Sequence, residues 1–376
     1  MITSARKGME KHLAIIGASY LQLPLIEKAK HLGYTTHVFA WAANDVGETA
    51  ADFFYPISIV DKEAVLNKCA KIGICGICSI ASDLAAITVN YVADALNLNG
   101  NSMECVKKST DKYYMRRAFF ENGDPSPLSI KVDESTDLTT LNLSFPVIVK
   151  PTDRSGSRGI YKLESENGLE KAVASAISES FSKSALIEEY VCGEEFSVEY
   201  VSFHGKHNFL AVTKKFTTGA PHFIETGHAE PANLDRSTVN KIKSVVEHAL
   251  DTLGITDSAS HSEVKITPKG DIKIIEIGGR MGGDCIGSDL VYYSTGIDFL
   301  SCVISVACGN PPNLKRVIKP RKVRSVYIFT EDDLKEFERI RRETPEKILR
   351  IPYLDKDNIG KTTDSSNRAG CYIITD

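Results

Sequence analysis

Two glutamates, Glu263 and Glu276, stand in the runs HSEVKIT and DIKIIEIGG. The patterning reads as two antiparallel strands joined by a short glycine-bearing turn at residues 269–270. Carboxylates brought side by side near one sheet edge repel unless a cation holds them. A hard divalent ion such as Mg²⁺, bound by one or two carboxylates and completed by phosphate oxygens, answers that need. Arg280 follows in the turn GGRMGGD, where Gly278, Gly279, Gly282 and Gly283 let another backbone or a ligand come close. A purely structural turn has no use for an arginine among those glycines, so the pattern favours function.

Residues 145–161, FPVIVKPTDRSGSRGIY, carry an apolar strand that ends on Lys150 and runs into a loop of small residues. This is no Walker A motif: no Gly-Lys-Ser/Thr follows the glycines, no helix starts there, and the lysine comes first. That order suits a strand lysine reaching nucleotide phosphates from the sheet, with Ser155, Gly156, Ser157 and Gly159 folding over them through backbone N–H groups. A plain surface turn is the competing reading. Upstream, Asp111 and Lys112 open a helix, giving a second phosphate lysine or an N-capped surface helix with its lysine in water. Downstream lies LIEEYVCGEEFSVE. Adenine needs one donor and one acceptor from an extended hinge, which the backbone of Glu188, Glu189, Tyr190 and Val191 could supply. The carboxylate of Glu195 could take ribose hydroxyls. As bare residues these equally read as solvent-facing strand acids.

Such residues have to be placed by the elements around them. Residues 12–100 alternate strands (HLAIIGAS, YTTHVFAW, ICGICSIA) with amphipathic helices (QLPLIEKAKHLG, DKEAVLNKCAKIG, DLAAITVNYVADALNL), which predicts an α/β, doubly wound parallel sheet. Its first turn, GASYLQ, lacks the GxGxxG that brings a pyrophosphate onto a helix N-terminus, which argues against an oxidoreductase built on this sheet. Beyond about residue 105 come a helix ending at Gly123, a proline-rich link, a helix in NGLEKAVASAISES, and strands with period-2 patterning in EFSVEYVSF. A loop is expected over 217–233, then a long helix through Leu253. The end carries a strand VRSVYIFT, a charged helix and a terminal strand AGCYIITD.

Bulk properties exclude several classes. A net charge of −4 argues against a nucleic-acid binder relying on a basic field. No apolar run reaches the roughly 18 residues of a membrane helix, and the first residues have no signal-like apolar core. Nine cysteines scattered through apolar stretches fit a reducing, cytoplasmic setting. Cys75 and Cys78 form a CxxC without a second ligand pair, and read as two thiols on a buried strand.

The ordered combination of helix-start lysine, strand lysine with Ser/Gly flap, EEYVCGEEFSVE hinge, and paired glutamates with a following arginine resembles the ATP-grasp superfamily of carboxylate–amine ligases. The likeness covers residues 12–310. The stretches GASYLQLPLIEKAKHLGY, HSE, EIGGRMGGD and SSNRAGCYIIT look most like the L-amino-acid ligase branch. It implies a Rossmann-like N-terminal domain over 1–105, a two-lobed α+β ATP-grasp fold over 106–312 with its flap lobe at about 125–195, and a small C-terminal α+β segment over 313–376. It implies ATP with Mg²⁺ (or Mn²⁺), small-molecule carboxylate and amine substrates, and pairing of chains through the N-terminal domain. Lys112 and Lys150 would hold phosphates, Glu195 and Lys215 would contact the nucleotide, and Glu263 and Glu276 would bind the metal. Arg280 would stabilise the acyl phosphate and the tetrahedral intermediate. Gly282, Gly283, Asp284 and His228 would lie near substrate, Asp284 holding an amino group or capping the next helix. His261 would stand over the transferred phosphate or be a satisfied strand histidine. Many relatives carry an asparagine metal ligand where this chain has Gly278. Carboxyphosphate formation from bicarbonate, or ligation of an amine to a phosphoribosyl-type acid, would use the same nucleotide site. A non-catalytic ATP-binding module would not need Arg280.

Overall fold

The computed structural model describes residues 11–376 apart from 157, 220–223 and 366, so Ser157 of the expected flap lies outside the described residues. The chain builds three sheets. Strands β1 (Lys11–Ile16), β2 (Tyr34–Phe39), β3 (Phe53–Tyr55) and β4 (Gly76–Cys78) form a parallel sheet in the order β3-β2-β1-β4. Leu13 to Ile16 are fully buried, the continuous apolar run of a strand covered on both faces. The winding reverses between β1 and β4, so the loops leaving their C-terminal ends part and open a crevice. Cys75, just ahead of β4, approaches Cys308 rather than Cys78, with the sulfurs 3.9 Å apart.

A second sheet, β5 (Ser129–Val132), β6 (Val147–Pro151), β7 (Tyr161–Leu163) and β8 (Ala185–Glu189), is antiparallel in the order β5-β8-β6-β7. The helix Leu169–Glu179 covers one face through Leu169, Ala172, Val173, Ala176 and Ile177, which meet Val147, Val149 and Ile187. Strand alternation then turns Ile148, Lys150 and Glu188 to the opposite face.

The third sheet has eight strands. They are β9 (Glu194–Phe203), β10 (Lys206–Thr217), β11 (Glu225–Glu230), β12 (Ala259–Ile266), β13 (Ile272–Gly278), β14 (Val323–Ile328), β15 (Ile348–Leu354) and β16 (Gly370–Thr375). The order is β13-β12-β9-β10-β11-β14-β16-β15, so the last strands of the chain extend the same sheet. One face is apolar: Phe196, Val198, Tyr200, Val264 and Ile274 pack under the helix Arg236–Leu253 and under Met115 and Phe119 of the helix Lys112–Asn122. The other face is apolar only toward Val201, Ala211 and Ala259, where it shares a core with the parallel sheet. The uncovered remainder of that face is polar, and it carries the site.

The loop expected over 217–233 contains β11, paired with β10 and β14. Its sequence, ETGHAE, shows no apolar alternation because Glu225, His228 and Glu230 are buried against other polar groups rather than against a hydrocarbon core.

Candidate active site

The flap-lobe sheet and the polar face of the central sheet enclose a cleft. Ile148, Ile160, Val191 and Ile275 give it apolar walls, while Lys112, Lys150, Glu195, Lys215, Glu263 and Glu276 point charge into it. Lys150 donates to Glu188 at 2.6 Å, and Arg116, from the helix Lys112–Asn122, grips the same carboxylate at 2.8 Å. Lys112 is the first residue of that helix. Asp111 caps the helix by accepting from the Tyr113 N–H, and the Lys112 N–H donates to the Thr152 carbonyl at 2.7 Å. These ties bring the Lys112 ammonium to Glu276 at 2.9 Å and to the Arg154 carbonyl at 2.7 Å. At the hinge, Glu189 and Tyr190 spend their N–H groups on Leu128 and Pro146, and the Val191 carbonyl accepts from Lys265 at 3.2 Å.

Glu263 and Glu276 lie directly opposite on β12 and β13, and the register slips just beyond them, where Val264 pairs with Ile274. Ile275 is thus the extra residue of a β-bulge, a device that re-aims neighbouring side chains. Its carbonyl is satisfied by Arg116 at 2.5 Å. Lys215 sits among three carboxylates, 2.8 Å from Glu195, 3.1 Å from Glu263 and 3.4 Å from Glu225. Burial opposes charge on both Lys215 and Glu263. The mutual attraction wins, raising the lysine pKa well above its usual value and drawing the glutamate well below. Two carboxylates in register, each neutralised by a lysine, form a donor set that suits Mg²⁺. Among the described residues no third His, Cys, Asp or Glu joins them closely enough to complete a protein-only site, so phosphate and water would fill the remaining positions.

A second cavity of about 350 Å³ shares Lys215 and Glu263 with the first. The crevice of the parallel sheet supplies Tyr20 and Leu21 after β1, and Ala81 and Asp83 after β4; Ser155, Gly156 and Arg158 of the flap reach in from the opposite side. Arg280 donates to Asp83 through Nε at 2.7 Å and Nη2 at 3.0 Å. His261 bonds Glu199 through Nδ1 and holds Nε2 3.8 Å from Glu263. Burial disfavours its proton, but Glu199 raises its pKa to about 9. His228, opposite Lys215 in the ladder, goes the other way: burial pushes it down to about 3.

Residues 143–289 match the model of the ATP-grasp domain. Over that stretch the chain is similar to ATP-grasp domains. Among curated relatives, the alanine–anticapsin ligase of Bacillus subtilis is 25% identical over 274 residues, 64% of this chain and 58% of that one. The chain therefore matches a little over half the length of that relative. The L-amino acid ligase of Bacillus licheniformis superposes with a TM-score of 0.81 at 23% identity, covering 97% of this chain and 93% of the other. Phosphoribosylglycinamide synthetase of Anaerococcus prevotii superposes at 0.77 with 22% identity, covering 98% and 94%. At these identities the superpositions speak for the fold.

Within the ATP-grasp frame the expected residues divide between the two cavities. Lys112, Lys150, Glu188, Glu189, Tyr190, Val191, Glu195, Lys215, Glu263 and Glu276 line the first; Ser155, Gly156, Lys215, His228, His261, Glu263, Arg280, Gly283 and Asp284 line the second. Glu188 does more than lend backbone to a hinge, since its buried carboxylate anchors Lys150 and Arg116. Asp284 does not cap the turn that follows, whose capping position is Cys285 with no side-chain bond; Arg368 clamps its carboxylate with two bonds, 2.5 Å and 3.2 Å, in the lining of the second cavity. Gly282 turns its N–H to Glu199 at 3.2 Å, and a Cβ there would come within 2.7 Å of His261 Nδ1. Gly159 stands at φ 66° beside Pro151. Sequence reasoning missed Asp83, Arg116, Glu199, Glu225 and Arg368. Arg116 left a signal, a charge on the same helical stripe as Lys112, Met115 and Phe119. Glu199 left another, since it falls on the β9 face of Glu195.

Proposed function

We propose that this chain is an ATP- and Mg²⁺-dependent ligase that activates a carboxylate as an acyl phosphate and joins it to an amine, with amino acids as substrates. The observation that carries the reading is the meeting of two cavities at Lys215 and Glu263. One is apolar-walled with phosphate lysines at its inner end. The other is polar, with Arg280 and His261 facing it. A γ-phosphate at the junction would stand between them.

In the first step a substrate carboxylate oxygen attacks the γ-phosphorus, the bond to the β-phosphate oxygen breaks, and ADP leaves with the electron pair. Positioning and charge neutralisation are the main catalytic needs of such a transfer. Lys112 and Lys150 approach the phosphates from the helix start and from β6. Glu263 and Glu276 would hold Mg²⁺, which would supply further neutralisation of the phosphate charge. In the second step an amine nitrogen attacks the acyl carbon. Arg280 stabilises the oxyanion, phosphate departs, and the nitrogen sheds its extra proton. The flap, through Ser155, Gly156, Arg158 and Gly159, keeps water from the acyl phosphate. The absence, among the described residues, of a helix long and apolar enough to cross a membrane and the unbridged cysteines support a cytoplasmic setting.

The test is phosphate release from MgATP with pooled L-amino acids, read with mass spectrometry of the products. Release that requires amino acids, with a product of two residues less water, is expected. Release that requires bicarbonate instead, or a phosphoribosylamine, would move the chain to the other reactions of the fold. Nucleotide binding without turnover on any carboxylate would overturn the ligase reading.

A further inference from the structure

Arg280 owes its orientation to a residue outside its own turn. Nε and Nη2 are both engaged by the two oxygens of Asp83, while Nη1 makes only a long contact of 3.4 Å to the Met281 carbonyl. Asp83 belongs to the parallel-sheet unit, where it is the first residue of the helix Asp83–Ala95 behind the Ser82 cap. The loop that delivers it is built rather than slack. Ala81 is held at φ 59°, a left-handed conformation costly for a residue with a Cβ, and its N–H donates to the Met281 carbonyl at 3.1 Å. Gln22 fastens the same loop through the Ile80 carbonyl at 2.8 Å. The strap and the fork thus bind the exit of β4 to both residues of the Arg280–Met281 pair.

Gly278 completes the arrangement. It ends strand β13, outside the left-handed region, so its backbone places no demand for glycine. Space does: a Cβ there would lie 3.0 Å from the Asp83 Oδ1 and 3.4 Å from the Arg280 Cζ. A side chain at 278 would press on the Asp83 carboxylate, tighter than an ordinary contact, and rest against the Arg280 guanidinium, so an asparagine there needs Asp83 to give way.

We infer that Asp83 is a positioning residue for Arg280: delivered across the boundary between the two units, it fixes the guanidinium so that Nη1 faces the reacting group, and Gly278 is the gap that admits it. The consequence for catalysis rests on the ligase reading; the positioning itself rests on geometry alone. Fixed guanidinium geometry matters because a misplacement of about 1 Å at a reacting centre costs on the order of 10²-fold in rate.

The test uses D83N, D83A, G278N and the double variant D83A/G278N of the full chain, each checked for thermal unfolding. Crystal structures should show the Arg280 guanidinium displaced in D83A and G278N. Steady-state kinetics should show kcat lower by about 10- to 100-fold with the KM for ATP within about twofold, the signature of an interaction made in the transition state. Because both changes dislodge one arginine, the double variant should be no slower than the worse single. D83N keeps the shape of the side chain and stands in if D83A fails to fold. Arg280 remaining in place in D83A or G278N, kcat within twofold of the parent in either, or losses that multiply in the double variant would overturn the inference. If the parent turns over no carboxylate–amine pair, the ligase reading fails, and the position of Arg280 in the variant crystals decides the positioning claim by itself.

Discussion

His261 and His228 both line the second cavity, yet their neighbours set them to opposite charge states at neutral pH. Glu199 holds His261 protonated, with a folded pKa near 9 against an unfolded value of about 6.5. Its stabilisation is complete below pH 6.5 and is lost as pH rises through 9. The term is on the order of 3 kcal/mol. His228 is depressed, so what it contributes is present above pH 6.5 and disappears as pH falls toward 3. Glu230, raised by burial to about 7, loses its contribution between its ordinary value and pH 7, while Cys75, drawn down to about 7 chiefly by Cys308, gains one above pH 7 that opposes the loss at His261. Calorimetric melting of the parent and of Glu199→Gln isolates the histidine: the advantage of the parent should shrink between pH 7 and 9.5, and a difference that stays constant across that range would contradict the pairing. At the same scale, Arg280→Ala should lower turnover by about 10²–10³-fold, as loss of an oxyanion donor does, with MgATP affinity within about twofold. Turnover kinetics beside calorimetric titration read both, and unchanged turnover would remove Arg280 from the chemistry.

The strands and turns carry the site through small departures from regularity. The bulge at Ile275 lets Glu276 face Glu263 while the rest of β13 keeps its apolar side on the core. Gly282 leaves room for the buried His261–Glu199 pair, so Gly282→Ala should lower stability by about 2–3 kcal/mol, the range of overpacking beside a broken buried contact. Urea melts would measure it, and a loss below about half a kcal/mol would mean that the pair tolerates the methyl group. Legibility in the sequence followed the same line. Strands alternating with amphipathic helices disclosed the parallel sheet, and the order of lysines, hinge acids and paired glutamates pointed to residues that share one cleft, because both patterns are local. β11 escaped because its buried side chains are polar, so burial left no hydrophobic signature. Asp83, Glu225 and Arg368 escaped because their meaning lies in partners far along the chain, Arg280, Lys215 and Asp284.

Three bodies of structure meet at one point, and the whole molecule is organised around that meeting. The parallel sheet gives Asp83 and Tyr20, the flap lobe gives Lys150 and Ser155, and the central sheet gives the glutamates, Lys215 and Arg280. Ligand that bridges all three should stabilise the fold by mass action, by about 2.7 kcal/mol at a hundredfold excess over Kd. ATP should raise the melting temperature more with Mg²⁺ than with EDTA, and Glu276→Gln should erase that metal-dependent part; a metal effect that persists would place the ion elsewhere. Attack of the carboxylate on the γ-phosphate leaves an isotopic trace, which incubation with an amino acid labelled with oxygen-18 in its carboxylate would read. An acyl-phosphate route transfers one labelled oxygen to each inorganic phosphate released, with ADP unlabelled. Label appearing in AMP, or phosphate released without label while the amide forms, would contradict it.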